Sequence, residues 1–221
     1  MGFPWKNSLP VTRRNPEGDI LPLKYFGRWS VDDVEVEDRG LRRYIRLEPR
    51  LAPHVAGRQN EKRFDKEDVP IVERLMNKLM RSGPGLGKVG GKSIRGGKSC
   101  GKKQKAYKIV RKAFEIVNEE TGQNPIQVLV DAIQNSAPRE ETTKISYGGI
   151  TYHEAVDSAP LRRLDIAIRN LADGAYSSTF KNKDSIEECL AEELILAAQG
   201  ESESYGVEQK RGVERIAKGA R

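Results

Sequence analysis

Five segments between residues 70 and 200 repeat apolar side chains every three or four positions, which is the period of an amphipathic α-helix. Residues that suit helix ends separate these segments. Pro160 suits a first turn and Gly122 a C-cap, while Ser185 and Glu188 have the spacing of a capping box. The tail, residues 207–221, is a weaker sixth candidate. The periodicity therefore predicts a mainly α-helical fold, a bundle of six helices.

One stretch departs from the helical period. In KISYGGITYH, alternating residues flank Gly148 and Gly149, which suit the two-residue primed turn of a β-hairpin over residues 143–154. Pairing about this turn predicts four opposed pairs: Tyr147 and Ile150, Ile145 and Tyr152, Ser146 and Thr151, Lys144 and His153. One face is apolar and aromatic, and the other is polar. Because a lone hairpin is only marginally stable in water, this protruding hairpin either lies on the helices or meets a partner through its aromatic face.

Residues 1–60 are rich in proline, glycine and mixed charge. We expect them to form an irregular N-terminal extension that packs on the body, residues 61–221, or on a partner, rather than a separate domain. Trp5, Phe26 and Trp29 are the candidate anchors of this extension. The alternative is that these aromatic rings stack on nucleic acid bases.

The positive charge is concentrated in one segment of the chain. There are 39 basic and 32 acidic residues, which gives a net charge of +7. From Arg74 to Phe114 there are 13 Lys or Arg and no Asp or Glu, so 26 basic and 32 acidic residues remain elsewhere. A block of one sign predicts a polyanionic partner, and a phosphate backbone fits because each neutralised phosphate releases a counterion. No amphipathic helix rich in bulky apolar residues accompanies the block, so we do not expect a membrane partner.

The basic block contains Gly-Lys-Ser twice, at residues 91–93 and 97–99, which is how a nucleotide-binding P-loop ends. A P-loop has four residues between its two glycines, follows a buried strand and opens a helix. Here each match has five residues between the glycines, and the preceding segment has a helical period. This spacing disfavours nucleotide binding. It favours a flexible, glycine-rich basic loop over residues 82–103 that becomes ordered on its partner.

Signals for catalysis, metal binding and secretion are weak. His153 and Asp157 could form an acid–base pair, but no third catalytic group is recognisable, so we expect no enzyme activity. Cys100 and Cys189 form no CxxC or metal-binding pattern with the histidines, and we expect neither a metal nor a cofactor. The chain shows no signal peptide and no apolar run of transmembrane length, and its cysteines fit a reducing cytoplasm. A DNA or chromatin protein would share the charge block and stays an alternative.

Four longer motifs follow one another over roughly residues 70–200. They are IVERLMNKLM, AYKIVRKAFEIVNEETGQNPIQVLVDAIQNSAPREETTKI, AVDSAPLRRLDIAIRNL and SIEECLAEELILAA. In this order they resemble the ribosomal small-subunit protein seven family. The form TGQNPIQVLVDAIQNSAPRE, together with YFGRW in the extension, is similar to the archaeal and eukaryotic cytoplasmic branch of that family.

The resemblance implies a structural protein of the small ribosomal subunit with six helices and a β-hairpin. Such a protein binds the 3′ major domain of small-subunit rRNA, organises the subunit head, and places its hairpin near messenger RNA and exit-site tRNA. Small-subunit ribosomal proteins nine and eleven would be its neighbours. The ribosomes concerned would be cytoplasmic.

By position, the resemblance implies an rRNA-binding face made of basic residues from three helices and the loop. They are Arg74, Lys78, Lys88, Lys92, Arg95, Lys98, Lys102, Lys103, Lys105, Lys108, Arg111, Lys112, Arg162, Arg163 and Arg169. The hairpin residues near messenger RNA and tRNA would be Lys144, Tyr147, Gly148, Gly149, Tyr152 and His153. The family's hairpin usually carries several arginines, whereas this one has only Lys144 and His153. We therefore expect the loop and the helices to dominate rRNA affinity.

One acidic residue lies among the basic residues of the predicted fourth helix. Asp165 is three residues after Arg162 and four before Arg169, so both arginines are on its side of the helix. Either it forms ordinary surface ion pairs with them, or it keeps them extended towards phosphate. The sequence leaves both interpretations open.

Overall fold

In the computed structural model, the described residues are 13–14, 20–21, 23–50, 54, 64–83, 85–89, 92–95 and 100–221. Within them the chain forms seven α-helices: α1 (Arg39–Arg42), α2 (Ile71–Leu79), α3 (Lys103–Thr121), α4 (Pro125–Ser136), α5 (Pro160–Ser178), α6 (Ile186–Gln199) and α7 (Tyr205–Gly219). A short 3₁₀ helix, Asp65–Asp68, precedes α2. Three antiparallel pairs of strands are also present: β1 (Arg13–Arg14) with β2 (Ile20–Leu21), β3 (Gly85–Val89) with β4 (Lys92–Arg95), and β5 (Glu140–Tyr147) with β6 (Ile150–Asp157). The predicted mainly α-helical fold with a protruding hairpin is confirmed.

Local chemistry sets the helix ends that the sequence predicted. Ser185 and Glu188 form a capping box, in which the Glu188 N–H donates to Ser185 Oγ at 3.4 Å and the Ser185 N–H donates to Glu188 Oε2 at 2.7 Å. Asn124 caps α4 by accepting a hydrogen bond from the Ile126 N–H at 3.1 Å. Gly122 ends α3 at a φ of 66°, which glycine adopts without steric strain.

Helix α6 lies at the centre of the bundle, in contact with α3, α4, α5 and α7. Large apolar side chains from α6 itself and from α3, α4 and α5 are fully buried where these helices meet: Phe114, Leu129, Ile133, Leu164, Ile168, Leu171 and Leu190. Each such side chain stabilises the fold by about 1.5–3 kcal/mol relative to exposure. Helix α2 packs against both α3 and α5. The core therefore brings together the three helices that carry the predicted rRNA-binding residues.

A buried carboxylate attaches α7 to this core. Glu193 on α6 is 5% exposed and accepts hydrogen bonds from Ser204 Oγ at 2.8 Å, the Gly206 N–H at 2.9 Å and the Tyr205 N–H at 3.2 Å. These donors belong to the N-terminus of α7, whose partial positive charge favours an anion. Helix packing is close here, since a Cβ at Gly206 would lie 2.8 Å from Ser136 Oγ. Glu193 thus fixes where α7 begins.

The described part of the N-terminal extension packs on the helices. The Phe26 ring meets Tyr107 and Phe114 on α3 edge to face, with centroids 5.0 and 5.9 Å apart, and Trp29 lies 5.9 Å from Phe114. Both rings are therefore anchors, as predicted from the sequence. Trp5, the third predicted anchor, lies outside the described residues.

Residues 30–38 lie along α4 and are held through their backbone. Asn124 Nδ2 donates to the Ser30 carbonyl at 2.8 Å. Gln127 bonds both the N–H and the carbonyl of Glu35, at 2.9 and 3.1 Å, and the Asp38 N–H donates to Gln134 Oε1 at 2.7 Å. Three amide side chains on one face of α4 thereby provide hydrogen bonds for the backbone of a segment that pairs with no strand among the described residues.

The β5–β6 hairpin has the predicted register, including Tyr147 opposite Ile150 and Lys144 opposite His153, and extends three residues further at each end. Two ion pairs hold its base. Arg162 on α5 donates to both Glu141 oxygens at 2.6 and 2.8 Å, and Arg221, after α7, pairs with Glu140. Consecutive residues of β5 are thus tied to different helices. Near the tip, Ile145, Ile150 and Tyr152 are 44–59% exposed, so the described part of the chain does not cover these apolar side chains.

Residues 82–103 contain two strands that the sequence did not predict. In the β3–β4 pair, Val89 lies opposite Lys92 and Lys88 opposite Ser93, with a shift of register between Gly85 and Gly87. Glycines at several positions leave no alternation of apolar and polar side chains, which is the pattern that reveals a half-buried strand. Among the described elements, β3 and β4 make their main contacts with each other.

Candidate nucleic-acid interface

Three cations from outside α5 converge on one carboxylate of α5. Arg74 Nη2 lies 3.1 Å and Lys78 Nζ 3.7 Å from Asp165 Oδ1, and Lys66 Nζ donates to Asp165 Oδ2. We call these four residues the Asp165 cluster. The 3₁₀ helix supplies Lys66, and α2 supplies the other two cations. Packing of α2 on α5 therefore creates the cluster.

The Asp165 cluster carries more positive than negative charge. Burial opposes ionisation of Asp165, but the hydrogen bond from Lys66 and the charges of Lys78 and Arg74 outweigh it and hold the pKa of this carboxyl below its usual range. For Lys78, burial is the largest effect and lowers its pKa, although Asp165 opposes the shift. Three cations and one carboxylate leave an excess of +2. A phosphate group brought to the partly exposed Lys66 and Lys78 would balance that excess.

The structure corrects both readings of Asp165. Within the described residues it pairs with Lys66, Arg74 and Lys78, whereas Arg162 pairs with Glu141. Spacing along one helix identifies only neighbours on that helix, but partners from another element can approach more closely. Asp165 therefore positions the cations of α2 and the 3₁₀ helix.

Three of the predicted rRNA-binding side chains join separate elements of the fold through contacts in which one partner is buried. The Arg74 side chain is 2% exposed, and besides Asp165 it donates to the Tyr44 carbonyl at 3.3 Å. Arg163 is also buried and donates to the Pro138 carbonyl at 3.1 Å and to Asp38 Oδ2 at 2.8 Å. Lys103 pairs with Glu73, a carboxylate buried on α2. These side chains join elements of the fold rather than face solvent.

The other predicted side chains on α3 and α5 are exposed. They are Lys105, Lys108, Arg111 and Lys112 on α3, Lys102 just before it, and Arg162 and Arg169 on α5. Arg111 lies 3.3 Å from Glu115, Lys112 lies 3.9 Å from Glu187, and Arg162 is held at the base of the β5–β6 hairpin. Within the described part of the chain, no ion pair involves Lys102, Lys105 or Lys108. Arg169, which is exposed, likewise forms no ion pair among the described residues, so these three lysines and Arg169 are the side chains of this set most available to phosphate.

The basic loop adds cations on a hairpin of its own. Lys88 lies in β3, and Lys92 and Arg95 lie in β4, while Lys98 falls outside the described residues. Lys92 and Ser93 of the first Gly-Lys-Ser are strand residues of β4, whereas a P-loop places them where a helix opens. The second Gly-Lys-Ser, residues 97–99, is outside the described residues.

The β5–β6 turn has the geometry that its sequence predicted. Gly148 and Gly149 have φ values of 59° and 83°, as a type I′ turn requires at both central positions. Lys144, Tyr152 and His153 are exposed, and Tyr147 occupies its expected place opposite Ile150. His153 and Asp157 are four residues apart on β6, about 13 Å along an extended strand. That separation is too long for a direct acid–base pair.

Elsewhere in the described ranges, no three His, Cys, Asp or Glu side chains are grouped closely enough to hold a metal ion. None of the helices described above is long and apolar enough to cross a membrane.

Comparison with known families decides the identity of this basic helical bundle. The family model described as ribosomal protein S7p/S5e matches residues 41–221, which include every helix from α2 to α7 and both longer hairpins. The chain belongs to the ribosomal protein S7p/S5e family. Members of the S7p/S5e family are structural proteins of the small ribosomal subunit that bind its rRNA, so this chain is a ribosome-associated rRNA-binding protein. The resemblance read from the sequence is confirmed.

Several residues that shape the S7p/S5e interface or the bundle around it were not identified from the sequence. Lys66 belongs to the Asp165 cluster although it lies outside the acid-free block, and no local signal marks it. Glu73 and Glu193 look like ordinary helix-surface acids in the sequence, yet both are buried. Their position next to apolar stripes is the one signal that could have indicated burial.

Proposed function

We propose that this S7p/S5e protein binds the 3′ major domain of small-subunit rRNA and organises the subunit head in cytoplasmic ribosomes. The observation that carries the proposal is the folding of the acid-free block into α2, the β3–β4 hairpin and α3, next to the basic residues of α5. The exposed cations would neutralise phosphates, while Arg74, Arg163 and Lys103 hold the supporting elements in place. Residues 61–221 would thus form the rRNA-binding domain, and residues 1–60 an extension on the body or on rRNA.

Salt dependence of binding tests the electrostatic part of the proposal. If roughly six phosphates are neutralised, the logarithm of the affinity for the naked rRNA domain should fall with log salt at a slope of about −4 to −5. Replacing Lys102, Lys105 and Lys108 together with alanine should make that slope shallower by about 2–3. Lys218→Ala, which removes an exposed lysine from the end of α7, is the control and should change the slope by less than about 1. A wild-type slope near zero would refute the proposal.

We propose that the β5–β6 hairpin lies near messenger RNA and exit-site tRNA and acts mainly through shape and stacking. Its support is the exposed apolar face formed by Ile145, Ile150 and Tyr152, which usually indicates a contact surface. Small-subunit proteins nine and eleven are the proposed protein neighbours. Replacing Lys144 and His153 with alanine should weaken binding to the naked rRNA domain far less than the triple lysine variant does. The reverse order would show that the hairpin supplies the main binding energy.

We also propose that the β3–β4 hairpin moves relative to the helices in the free protein and is fixed by rRNA. The two strands contact chiefly each other, and an isolated two-stranded hairpin is only marginally stable in water, so the pair should open readily without a partner. Hydrogen exchange measured with and without the rRNA domain tests this. Amides of residues 85–89 and 92–95 should exchange quickly in the free protein and slow down on binding. Strong protection in the free protein would contradict the proposal.

A further inference from the structure

The turn between α5 and α6 presents an aromatic ring to solvent. Phe180 is 72% exposed, the largest exposed fraction among the large apolar side chains of the described residues. Its position is well defined, because the Phe180 N–H donates to the Ser177 carbonyl at 3.1 Å and Thr179 Oγ1 donates to the Tyr176 carbonyl at 2.6 Å. The next residue, Lys181, has a φ of 61°, a conformation that side chains other than glycine rarely adopt. The backbone therefore holds the ring away from the core.

Two exposed lysines beside the ring offer contacts to an anionic partner. Lys181 and Lys183 are exposed on the turn itself, and Lys181 Nζ lies 5.7 Å from the Phe180 ring centroid. In the described part of the chain, neither lysine forms an ion pair. The nearby acids already have partners: Asp184 accepts from Asn182, Glu188 caps α6, and Glu187 lies 3.9 Å from Lys112. Of these three contacts only that of Lys112 balances a carboxylate charge, so the turn is distinguished by its two unpaired lysines beside the ring and not by a net positive charge.

A cleft of about 210 Å³ begins beside the same turn. Tyr176 of α5 and Thr179 of the turn line it on one side, and Lys102 and Lys105 line it at the N-terminus of α3. Its remaining walls are mostly apolar: Leu79, Met80, Ala106, Ile109 and Ile186. Apolar walls with lysines at one side suit a flat, partly apolar group that is joined to a phosphate. The cleft connects the Phe180 turn to two of the lysines that are most available for rRNA binding.

We propose that the turn at residues 179–183 and this cleft hold an unpaired, single-stranded segment of rRNA. Phe180 stacks on one base, and Lys181 and Lys183 neutralise the phosphates on either side of it. Lys102 and Lys105 hold the continuation of the strand along the cleft. Aromatic rings among lysines are the usual way in which proteins bind single-stranded RNA without reading its sequence. The inference rests on the proposed rRNA-binding function and adds a class of contact, base stacking, that the helices do not provide.

Binding of the intact protein to a short single-stranded RNA that contains 2-aminopurine tests the stacking contact. The wild type should quench the 2-aminopurine fluorescence, and Phe180→Ala should lose the quenching and bind about 5- to 100-fold more weakly. Phe180→Trp should restore both. Because no charge is removed, the salt slope of Phe180→Ala should equal that of the wild type, whereas replacing Lys181 and Lys183 with alanine should make it shallower by 1–2.

Ile216→Ala is the matched control, since Ile216 is 63% exposed but lies on α7, and it should behave as the wild type. Equal binding and quenching by Phe180→Ala and Ile216→Ala would overturn the inference while leaving the proposed function intact. If the wild type fails to bind the structured rRNA domain at all, the proposed function fails instead. A photo-crosslinking phenylalanine analogue at position 180 gives a second readout in assembled subunits. Crosslinks to RNA support the inference, and crosslinks only to protein would overturn it.

Discussion

Replacing Glu193 with alanine is expected to destabilise the protein by about 3 kcal/mol. The truncation leaves three donors at the start of α7 buried without their acceptor: Ser204 Oγ and the N–H groups of Tyr205 and Gly206. Hydrogen bonds to a charged group contribute about 1.5–3 kcal/mol each, and removal of a buried charge offsets part of their sum. For a chain of 221 residues, 3 kcal/mol lowers the melting temperature by roughly 6–12 °C.

Urea denaturation followed by circular dichroism measures the loss, and hydrogen exchange locates it. Amides of α7 should lose protection first, because Glu193 is the residue that fixes the start of this helix. Glu192→Ala is the matched control: the preceding residue of the same helix is exposed, so its replacement should cost less than about 0.5 kcal/mol. A loss below about 1 kcal/mol for Glu193→Ala would refute the view that this carboxylate attaches α7.

The same carboxylate should also make stability depend on pH. Burial raises the pKa of Glu193 above 4.5, although the hydrogen bonds from Gly206, Ser204 and Tyr205 oppose the shift. A raised folded-state pKa stabilises the protein below the unfolded-state pKa, and this contribution is lost as the pH rises through the folded-state value. The stability of the wild type relative to Glu193→Gln should therefore decrease as the pH rises above 4.5. A difference that does not vary with pH would contradict this.

Three further predictions concern other parts of the fold. Asp165→Asn should destabilise by about 2 kcal/mol, because it leaves a buried cation unpaired. Since the pKa of Asp165 is lowered, this contribution is present above pH 3.8 and lost as the pH falls through the folded-state value. Over that acid range the unfolding free energy of the variant should therefore change less with pH than that of the wild type. Gly206→Ala should lower the melting temperature, because its Cβ would lie 2.8 Å from Ser136 Oγ. A Cβ at Gly212 would have no atom within 4 Å apart from its own helix backbone and chain neighbours, so Gly212→Ala should stabilise the protein by about 0.5–1 kcal/mol. The opposite order of the two variants would contradict the packing of α7. Glu141→Gln should increase the motion of the β5–β6 hairpin that NMR relaxation measures. It should change the free energy of unfolding by less than about 0.5 kcal/mol, because its partner Arg162 is exposed. Unchanged relaxation would show that the ion pair does not hold the hairpin.

The features that sequence predicted correctly are those set by neighbouring residues. The capping box at Ser185, the end of α3 at Gly122 and the register of β5 and β6 each depend on groups within a few positions of one another. The apolar stripes predicted the helices because burial requires the same period in any helical bundle. The family motifs then supplied the arrangement of the helices, which periodicity alone does not give.

The partners of the candidate site could not be predicted, because distant parts of the chain supply them. Arg74 and Asp165 are 91 positions apart, and Arg163 and Asp38 are 125 apart. In the sequence, the buried Arg74 and Arg163 look like exposed arginines such as Arg162. Only the packing of α1, α2 and α5 shows which arginines face inwards. The β3–β4 pair was missed for a different reason, since its glycine-rich strands carry no alternating pattern.

The amide side chains on α4 have a consequence for how this protein can change during evolution. Asn124, Gln127 and Gln134 bind the backbone of residues 30–38, so this part of the attachment does not depend on the exposed side chains of the segment. Its inward side chains do contribute, since Val31, Val34 and Val36 pack on the core and Asp38 pairs with Arg163. Its outward acids, such as Asp33 and Glu37, are free to be exchanged, whereas the three amides are not. A scan of all substitutions would show tolerance at the exposed acids of the segment and intolerance at the three amides of the helix beneath it. The exposed side chains that this segment presents to a neighbouring molecule can therefore change in sequence while the segment stays attached to the fold.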